Sequence, residues 1–386
     1  DQGFAAGDRA AAAAVCEELL QPCWAAHIRR GALGLLLRND GDQGAQRARS
    51  VLLAAAPDPV LAAVAIARVP ELRGEGVSKA FGEIMTRLPP AEQVLMVEAL
   101  AARGDADARA ALRAQVGSED AGVRCAALGA VGGLEGAGAA DVLVKALVSG
   151  PTPDERKAAQ SALVALGGGD AADRALVGAL REASGEGRQA LLTVLSMRGG
   201  GVCAAELLAQ ACAADEEAAR AAAQGLVRIA GSGDAAALEV LRKAALGKEG
   251  RSKEAALRAL AAWRGLGAWD VLAEVYVKTG EGSQHALALR GLVRAAGEAN
   301  ASPDAALFGR YRQLLAGART AEDRKLILGV LAGAAHPDAL ALALTLLDDP
   351  AVRPQAEEAV ARLAKALSAT HAEASRAALE RIQKGK

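Results

Sequence analysis

The apolar and polar positions of the chain repeat with a fixed period from about residue 93 to the C-terminus. In the stretch DAGVRCAALGAVGGL, which runs from Asp120 to Leu134, the basic residue Arg124 is followed seven positions later by the aliphatic Val131. The same basic slot returns, in its first four members at steps of 32, in the series Arg124, Arg156, Arg188, Arg220, Lys253, His285, Arg324 and Arg353. A period of this length predicts stacked repeats rather than separate globular domains.

Each repeat is predicted to contain two helices joined by a short turn. The first helix carries the basic slot, and a capping signal such as Thr152-Pro153-Asp154-Glu155 predicts its start, here with a full capping box. The second helix has a register of its own, with pairs of positions four residues apart: Leu143 and Leu147, Leu176 and Leu180, Leu208 and Cys212, Leu241 and Ala245, Leu272 and Tyr276. Residues at this spacing share one helix face, so each pair indicates one buried stripe.

The regularity of the pattern divides the chain into three parts. Residues 1–89 are predicted to form degenerate helical repeats with a cap, with helices near residues 8–20, 25–38, 44–55, 58–69 and 77–88. Residues 90–349 form the regular repeats, and residues 350–386 form a C-terminal capping repeat. The longer step from His285 to Arg324 places about seven extra residues within residues 297–304. The predicted fold class is an all-α, curved solenoid of roughly eleven or twelve helix pairs.

Units such as DERKAAQSALVALGGGDAADRALVGAL and DEEAARAAAQGLVRIAGSGDAAALEVLRKAAL resemble HEAT-type repeats of the short, phycobilisome-lyase-like kind, an armadillo-like architecture. The resemblance covers roughly residues 90–383. The closing segment, residues 346–383, also resembles HEAT-like regions of secreted bacterial multidomain proteins. The resemblance implies that the second helices line the inner face of the solenoid. It implies no single activity, because the family includes scaffolds, adaptors and a few enzymes.

Composition restricts the possible functions. The formal net charge is −1, with 45 basic and 46 acidic residues, which argues against a protein built to neutralise phosphates. No apolar run approaches the 18 residues of a membrane span. The five cysteines are odd in number and have no CxxC spacing, which excludes a disulfide framework and a zinc ribbon.

The first residue is Asp1, with no initiator methionine and no signal segment in front of it. A trimmed fragment and a processed, mature product both fit this start. We favour processing, which would place the protein in the periplasm or outside the cell.

The row of basic residues allows two interpretations. It could bind an acidic partner along the solenoid. Alternatively, each basic residue pairs with the acidic or hydroxyl residue four positions earlier, as in Asp120/Arg124, Glu216/Arg220, Glu249/Lys253 and Asp349/Arg353. We favour the second interpretation, because such local pairs follow from the repeat itself.

Three of the chain's eight aromatic residues cluster at Trp263, Trp269 and Tyr276. Aromatic side chains concentrate at binding hot spots, so these are the candidate partner-binding residues. Core packing is the competing interpretation and the one we favour, since Tyr276 occupies a buried slot of the second-helix register.

The four histidines are scattered over different repeats, and none lies in HExxH or precedes a glutamate, as HEAT-like di-iron hydroxylases require. The sequence therefore predicts no catalytic, cofactor-binding or metal-ligating residue.

The predicted function is a non-catalytic protein–protein interaction scaffold, or a structural subunit of a larger assembly. It is expected to bind another protein, without nucleic acid, a membrane span or a small-molecule substrate. Two alternatives stay open. One is a tetrapyrrole (bilin) lyase or chaperone-like enzyme, which the resemblance permits. The other is a nucleic-acid-binding solenoid, which the few aromatic residues and the balanced charge disfavour.

Overall fold

A computed structural model describes residues 8–248 and 250–384, and within these ranges every regular element is a helix. Through residue 182 the helices are α1 Arg9–Glu18, α2 Ala26–Asn39, α3 Gly44–Leu52, α4 Pro59–Arg68, α5 Val77–Met85, α6 Pro90–Arg103, α7 Ala106–Gln115, α8 Ala121–Glu135, α9 Ala140–Ser149, α10 Pro153–Val164 and α11 Gly169–Glu182. The five helices predicted in the first ninety residues are confirmed.

The remaining helices complete the pairs that the period predicts. They are α12 Gly185–Arg198, α13 Gly200–Gln210, α14 Glu216–Ser232, α15 Ala235–Ala245, α16 Arg251–Ala261, α17 Trp269–Lys278, α18 Ser283–Ala299, α19 Ala305–Gly317, α20 Ala321–Leu331, α21 Pro337–Thr345, α22 Arg353–Leu367 and α23 Ala372–Lys384. From α2 to α23 the described residues form eleven consecutive pairs.

The chain divides into two compact units, one ending at Leu191 and the other beginning at Leu192, within α12. In unit 1 the first helices α2, α4, α6, α8 and α10 contact one another in sequence. In unit 2 the first helices α14, α16, α18, α20 and α22 do the same, and the second helices form a parallel row from α13 to α23. Each unit is thus a stack of helix pairs, and the predicted all-α solenoid is confirmed.

The predicted slots of the first helices are buried in most repeats. Small residues such as Ala127, Ala159 and Ala288 and aliphatic residues such as Leu163 and Leu292 are 0% exposed. Alanine at the crossing lets neighbouring helices approach closely, and the aliphatic side chain seven positions after the slot fills the space between them.

One repeat departs from the predicted register. Val227, predicted to be buried, is 42% exposed, whereas its neighbour Leu226 is 0% exposed. The reason is the position of the N-cap: Asp215, not Glu216, accepts the backbone N–H bonds that begin α14. The slot predicted at Arg220 therefore belongs to Ala219 in this repeat, and Arg220 points to solvent.

The stretch Ala121–Ser149 has the length and apolar composition of a membrane-crossing helix, which the sequence analysis did not expect of any segment. The stretch is two helices, because Gly136 adopts a left-handed φ of 52° between α8 and α9. Val131 and Leu143 are 1% and 0% exposed within the stack. Helices of a protein core can have the same composition as membrane helices, and 39% of the most apolar 18-residue window is buried here.

Arg124 does not pair with Asp120, and that prediction is wrong. Asp120 caps α8 by accepting the backbone N–H of Val123 at 2.9 Å. The Arg124 guanidinium instead pairs with Glu155 on α10, the next first helix. Glu155 is 3% exposed, and Thr152 accepts its backbone N–H at 3.2 Å. Because the Glu155 carboxylate is committed to Arg124, no reciprocal bond to Thr152 forms, and the capping box predicted here is only half present.

The other predicted local pairs have three different outcomes. Glu216 and Arg220 do lie near each other, at 3.6 Å, on the surface. Asp349 pairs with Arg324 at 3.1 Å, and Arg353 with Glu357 at 3.0 Å, so the predicted Asp349/Arg353 pair is wrong. The pair Glu249/Lys253 lies outside the described residues, since Glu249 is not among them.

His285 repeats the arrangement of Arg124 in unit 2. Its ring is 4% exposed and stacks on Tyr276 with ring centroids 4.5 Å apart. Nε2 lies 3.0 Å from the Asp323 carboxylate on α20, and Nδ1 lies 3.2 Å from the Tyr276 carbonyl oxygen. Both partners are hydrogen-bond acceptors, and each ring nitrogen of His285 lies within hydrogen-bonding distance of one of them. Asp323 and Glu155 each directly precede a predicted basic slot, and each pairs with the slot residue of the preceding repeat.

We expect Arg124→Ala to lower the free energy of unfolding by about 2–4 kcal/mol, because it leaves the buried Glu155 carboxylate without a cation. Urea denaturation of the whole chain, followed by circular dichroism, measures the change. The matched control is Arg220→Ala, whose ion pair is exposed, at 75% for Arg220 and 88% for Glu216. That variant should stay within about 0.5 kcal/mol of the wild type. Equal effects of the two variants would contradict the assignment.

The Asp323 carboxylate makes the stability of unit 2 dependent on pH. Burial acts to raise the pKa of Asp323, but hydrogen bonds from His285 and from the backbone N–H groups of Arg319 and Thr320 outweigh it and hold this pKa below its usual value. A carboxyl group whose pKa is lower in the folded state stabilises the fold above its unfolded pKa. That contribution is lost as the pH falls through the folded value.

Asp323→Asn is therefore expected to be less stable than the wild type at neutral pH and to lose less further stability below about pH 4. Urea denaturation at a series of pH values from acid to neutral measures both effects. The control is Glu322→Gln, because the neighbouring Glu322 side chain is 77% exposed. The control should keep the wild-type acid dependence. An unchanged acid dependence in Asp323→Asn would show that Asp323 is not the responsible group.

Candidate protein-interaction surface

The three candidate partner-binding residues lie in the core of unit 2. Trp263, Trp269 and Tyr276 are 2%, 3% and 1% exposed. The Tyr276 hydroxyl donates to the Leu314 carbonyl at 3.2 Å, and Trp269 Nε1 donates to Gln313 at 3.4 Å. Core packing thus describes all three side chains in this structure. Contact between a partner and the surface around them stays a prediction.

The histidines and cysteines form no common site among the described residues. His336 caps α21 by accepting the backbone N–H of Asp338 at 3.1 Å, in the predicted turn before a helix. The five cysteines are unbridged, and Cys212, predicted to be buried, is half-buried. Burial raises the pKa of the half-buried Cys125 thiol, which disfavours its nucleophilic thiolate form. Within residues 8–248 and 250–384, no group of three or more His, Cys, Asp or Glu side chains could hold a metal ion.

Two adjoining grooves run beside α9 on the second-helix side of unit 1. The first groove lies between α7 and α9, over the start of α8, and has a volume of about 650 Å³. The second groove lies between α9 and α11 and has a volume of about 510 Å³. Lys145 and Ser149 line both grooves, and Val148, which lines the second, is 41% exposed. We name the two grooves together the α9 surface.

Small and aliphatic side chains form most of the lining of the α9 surface. Leu128, Val142 and Ala146 lie in the first groove, and Val144 and Ala179 in the second. Small residues leave the helix surfaces open, so a side chain from another molecule can enter between the helices. Concave, largely apolar surfaces with a few polar groups are typical of binding sites.

The charged groups of the first groove are mostly neutralised within unit 1. Arg113 donates to Asp141 at 3.0 and 3.1 Å and also pairs with Glu135. Arg124 is held by Glu155 and donates to the carbonyls of Ser118 and Glu119. Lys145 has no ion pair or hydrogen bond with any described residue. Lys145 is therefore the cation of the first groove that has no ion pair among the described residues.

The exposed valine of the α9 surface belongs to a slot that other repeats share. The residue directly after the second buried position of the second helix is aliphatic and exposed in three repeats, at Val148 (41%), Leu246 (40%) and Val277 (51%). In unit 2, Val277 lines a groove of about 360 Å³ with the charged side chains Asp270, Glu274 and Lys278. The register of the second helices marks the position of this slot in the sequence, but the exposure of its side chains is seen only in the structure.

Comparison with known proteins identifies the repeat type in part of the chain. The family of HEAT repeats matches residues 78–164, from α5 to the end of α10. No curated protein matches the chain in sequence.

Solved structures with similar folds include human deoxyhypusine hydroxylase in complex with glycerol. That protein is 20% identical, and the match covers 68% of this chain and 99% of that one with a TM-score of 0.30. An engineered protein is 19% identical over 97% of this chain and 98% of its own, with a TM-score of 0.29. Kap121p bound to Pho4p is 13% identical over 97% of this chain and 49% of its own, with a TM-score of 0.46. The HEAT match over residues 78–164 supports the HEAT-like resemblance that the sequence indicated, and helix pairs stack in both units.

Proposed function

We propose that the protein is a non-catalytic scaffold that binds another protein through the α9 surface. The exposed aliphatic side chain of Val148 beside two adjoining grooves is the observation that carries this proposal. An aliphatic residue in a concave, largely apolar surface gains free energy when a partner removes it from water. A solenoid supports such a surface well, because the stacked repeats hold it in place without a separate binding domain.

The distribution of polar groups also supports binding rather than catalysis. The buried ionisable groups described above, Glu155, Asp323 and His285, are paired across repeat interfaces, where they hold helices together. In the α9 surface, Arg113 and Arg124 are likewise engaged by neighbouring carboxylates. Groups held in this way position helices and are not free to exchange protons with a substrate.

Capture experiments with the purified chain as bait, in an extract of the organism that produces it, test the proposal. We expect the wild type to retain a defined partner, identified by mass spectrometry, and Val148→Asn to lose most of it. A polar side chain at this position removes the apolar contact at the α9 surface.

The matched control is Leu95→Asn on the first helix α6, because Leu95 is 42% exposed and Val148 41%. Circular dichroism should show that both variants fold. Leu95→Asn is expected to retain the partner at the wild-type level. Loss of the partner with Leu95→Asn but not with Val148→Asn would place the binding surface on the first helices and contradict the proposal.

A further inference from the structure

Resting on the proposed function, we infer that the first groove recognises an acidic side chain flanked by aliphatic residues in a segment of the partner. The Lys145 ammonium and the Ser149 hydroxyl would bind the carboxylate, and the apolar floor of the groove would take a neighbouring aliphatic side chain. The α9 surface thereby selects partners by charge as well as by shape.

The sign of the selected charge follows from the ion pairs around the groove. Four charged side chains line it, Arg113, Arg124, Lys145 and Glu155. Three of them already have partners: Arg124 and Glu155 hold each other, and Arg113 holds Asp141 and Glu135. Of the three cations that line the groove, Lys145 alone has no ion pair among the described residues, and its ammonium group can therefore bind a carboxylate of the partner.

The position of Lys145 makes it available for such a contact. Lys145 and Ser149 are four residues apart on α9 and therefore share one helix face, which borders both grooves. Like Lys145, the Ser149 hydroxyl has no hydrogen bond with any described residue. An ammonium and a hydroxyl on one face can donate to the two oxygens of one carboxylate.

The floor of the groove determines which side chains of the partner can lie beside its acidic residue. Leu128 is 1% exposed, and Val116, Val142 and Ala146 are half-buried around it. With a volume of about 650 Å³ the groove admits aliphatic side chains of a peptide beside the acidic one.

A nucleic acid fits this chemistry less well than a peptide. Nucleic-acid binding requires several uncompensated cations along the phosphate backbone, and single strands also require aromatic side chains for stacking. The α9 surface offers one cation without an ion pair among the described residues, the second groove also carries the carboxylates of Asp141 and Glu182, and no aromatic side chain lines either groove.

Selection from a phage-displayed library of random linear peptides tests the inference, with the full-length wild type and Lys145→Glu as targets. The wild type should enrich peptides with Asp or Glu beside aliphatic residues, and Lys145→Glu should enrich Lys or Arg at the same place. The control is Lys365→Glu on the first helix α22, because Lys365 is an exposed lysine without an ion pair among the described residues. Lys365→Glu should enrich the same peptides as the wild type.

Fluorescence anisotropy of one enriched acidic peptide gives the size of the effect. Its affinity should fall about tenfold or more with Lys145→Glu and change little with Lys145→Arg. Replacing the acidic residue of the peptide by lysine should restore binding to Lys145→Glu. A lysine that only stabilised the fold would not produce this exchange of preference.

Three outcomes would overturn the inference: enriched peptides without an acidic residue, equal binding to Lys145→Glu, or no enrichment at all. Peptides that depend on Val148 but not on Lys145 would overturn it while leaving the proposed function in place. Partner capture that does not depend on Val148 would instead overturn the proposed function itself.

Discussion

Each helix pair of this chain has apolar stripes that only the neighbouring pairs can cover. Leucine and alanine side chains of one repeat, such as Leu163 and Ala159, reach 0% exposure by packing between successive helices. Stability is therefore close to a sum of nearest-neighbour interfaces, and no repeat has a core of its own. The sides of the helices that face away from the stack take no part in this packing. A binding surface can form there.

Two buried carboxylates supplement this apolar packing with specific ion pairs or hydrogen bonds between neighbouring repeats. Glu155 receives Arg124 from the preceding first helix in unit 1, and Asp323 receives His285 in the same way in unit 2. Burying a charge is costly unless a partner satisfies it, so a repeat that shifted its register would lose the pair. Two members of the row of slot residues, Arg124 and His285, are thus held in the interfaces between repeats. They are not available as a surface for an acidic partner. Lys145 is not one of the slot residues and has no ion pair among the described residues.

The sequence predicted the fold well because period and helix signals are local properties of the chain. Leu143 and Leu147 lie on one buried stripe, and Asp120 begins a helix, as their spacing indicates. The partners of Arg124 and Arg324 could not be predicted in this way, since they lie in the next repeat and the residue four positions earlier, Asp120 or Thr320, was an equally good candidate. The shift at α14 was missed because the period places the cap at Glu216, whereas the neighbouring Asp215 is the better N-cap residue and takes that position.

The α9 surface was beyond the sequence analysis for a similar reason: its grooves depend on the lateral spacing of α7, α9 and α11. Hydrogen–deuterium exchange of the complete chain, with and without its captured partner, tests directly whether this surface is the binding site. We predict that the partner slows exchange in α7, α9 and α11 and at the starts of α8 and α10, which also line the first groove, and leaves α6 unchanged. Slower exchange confined to the first helices, or in unit 2 alone, would contradict it.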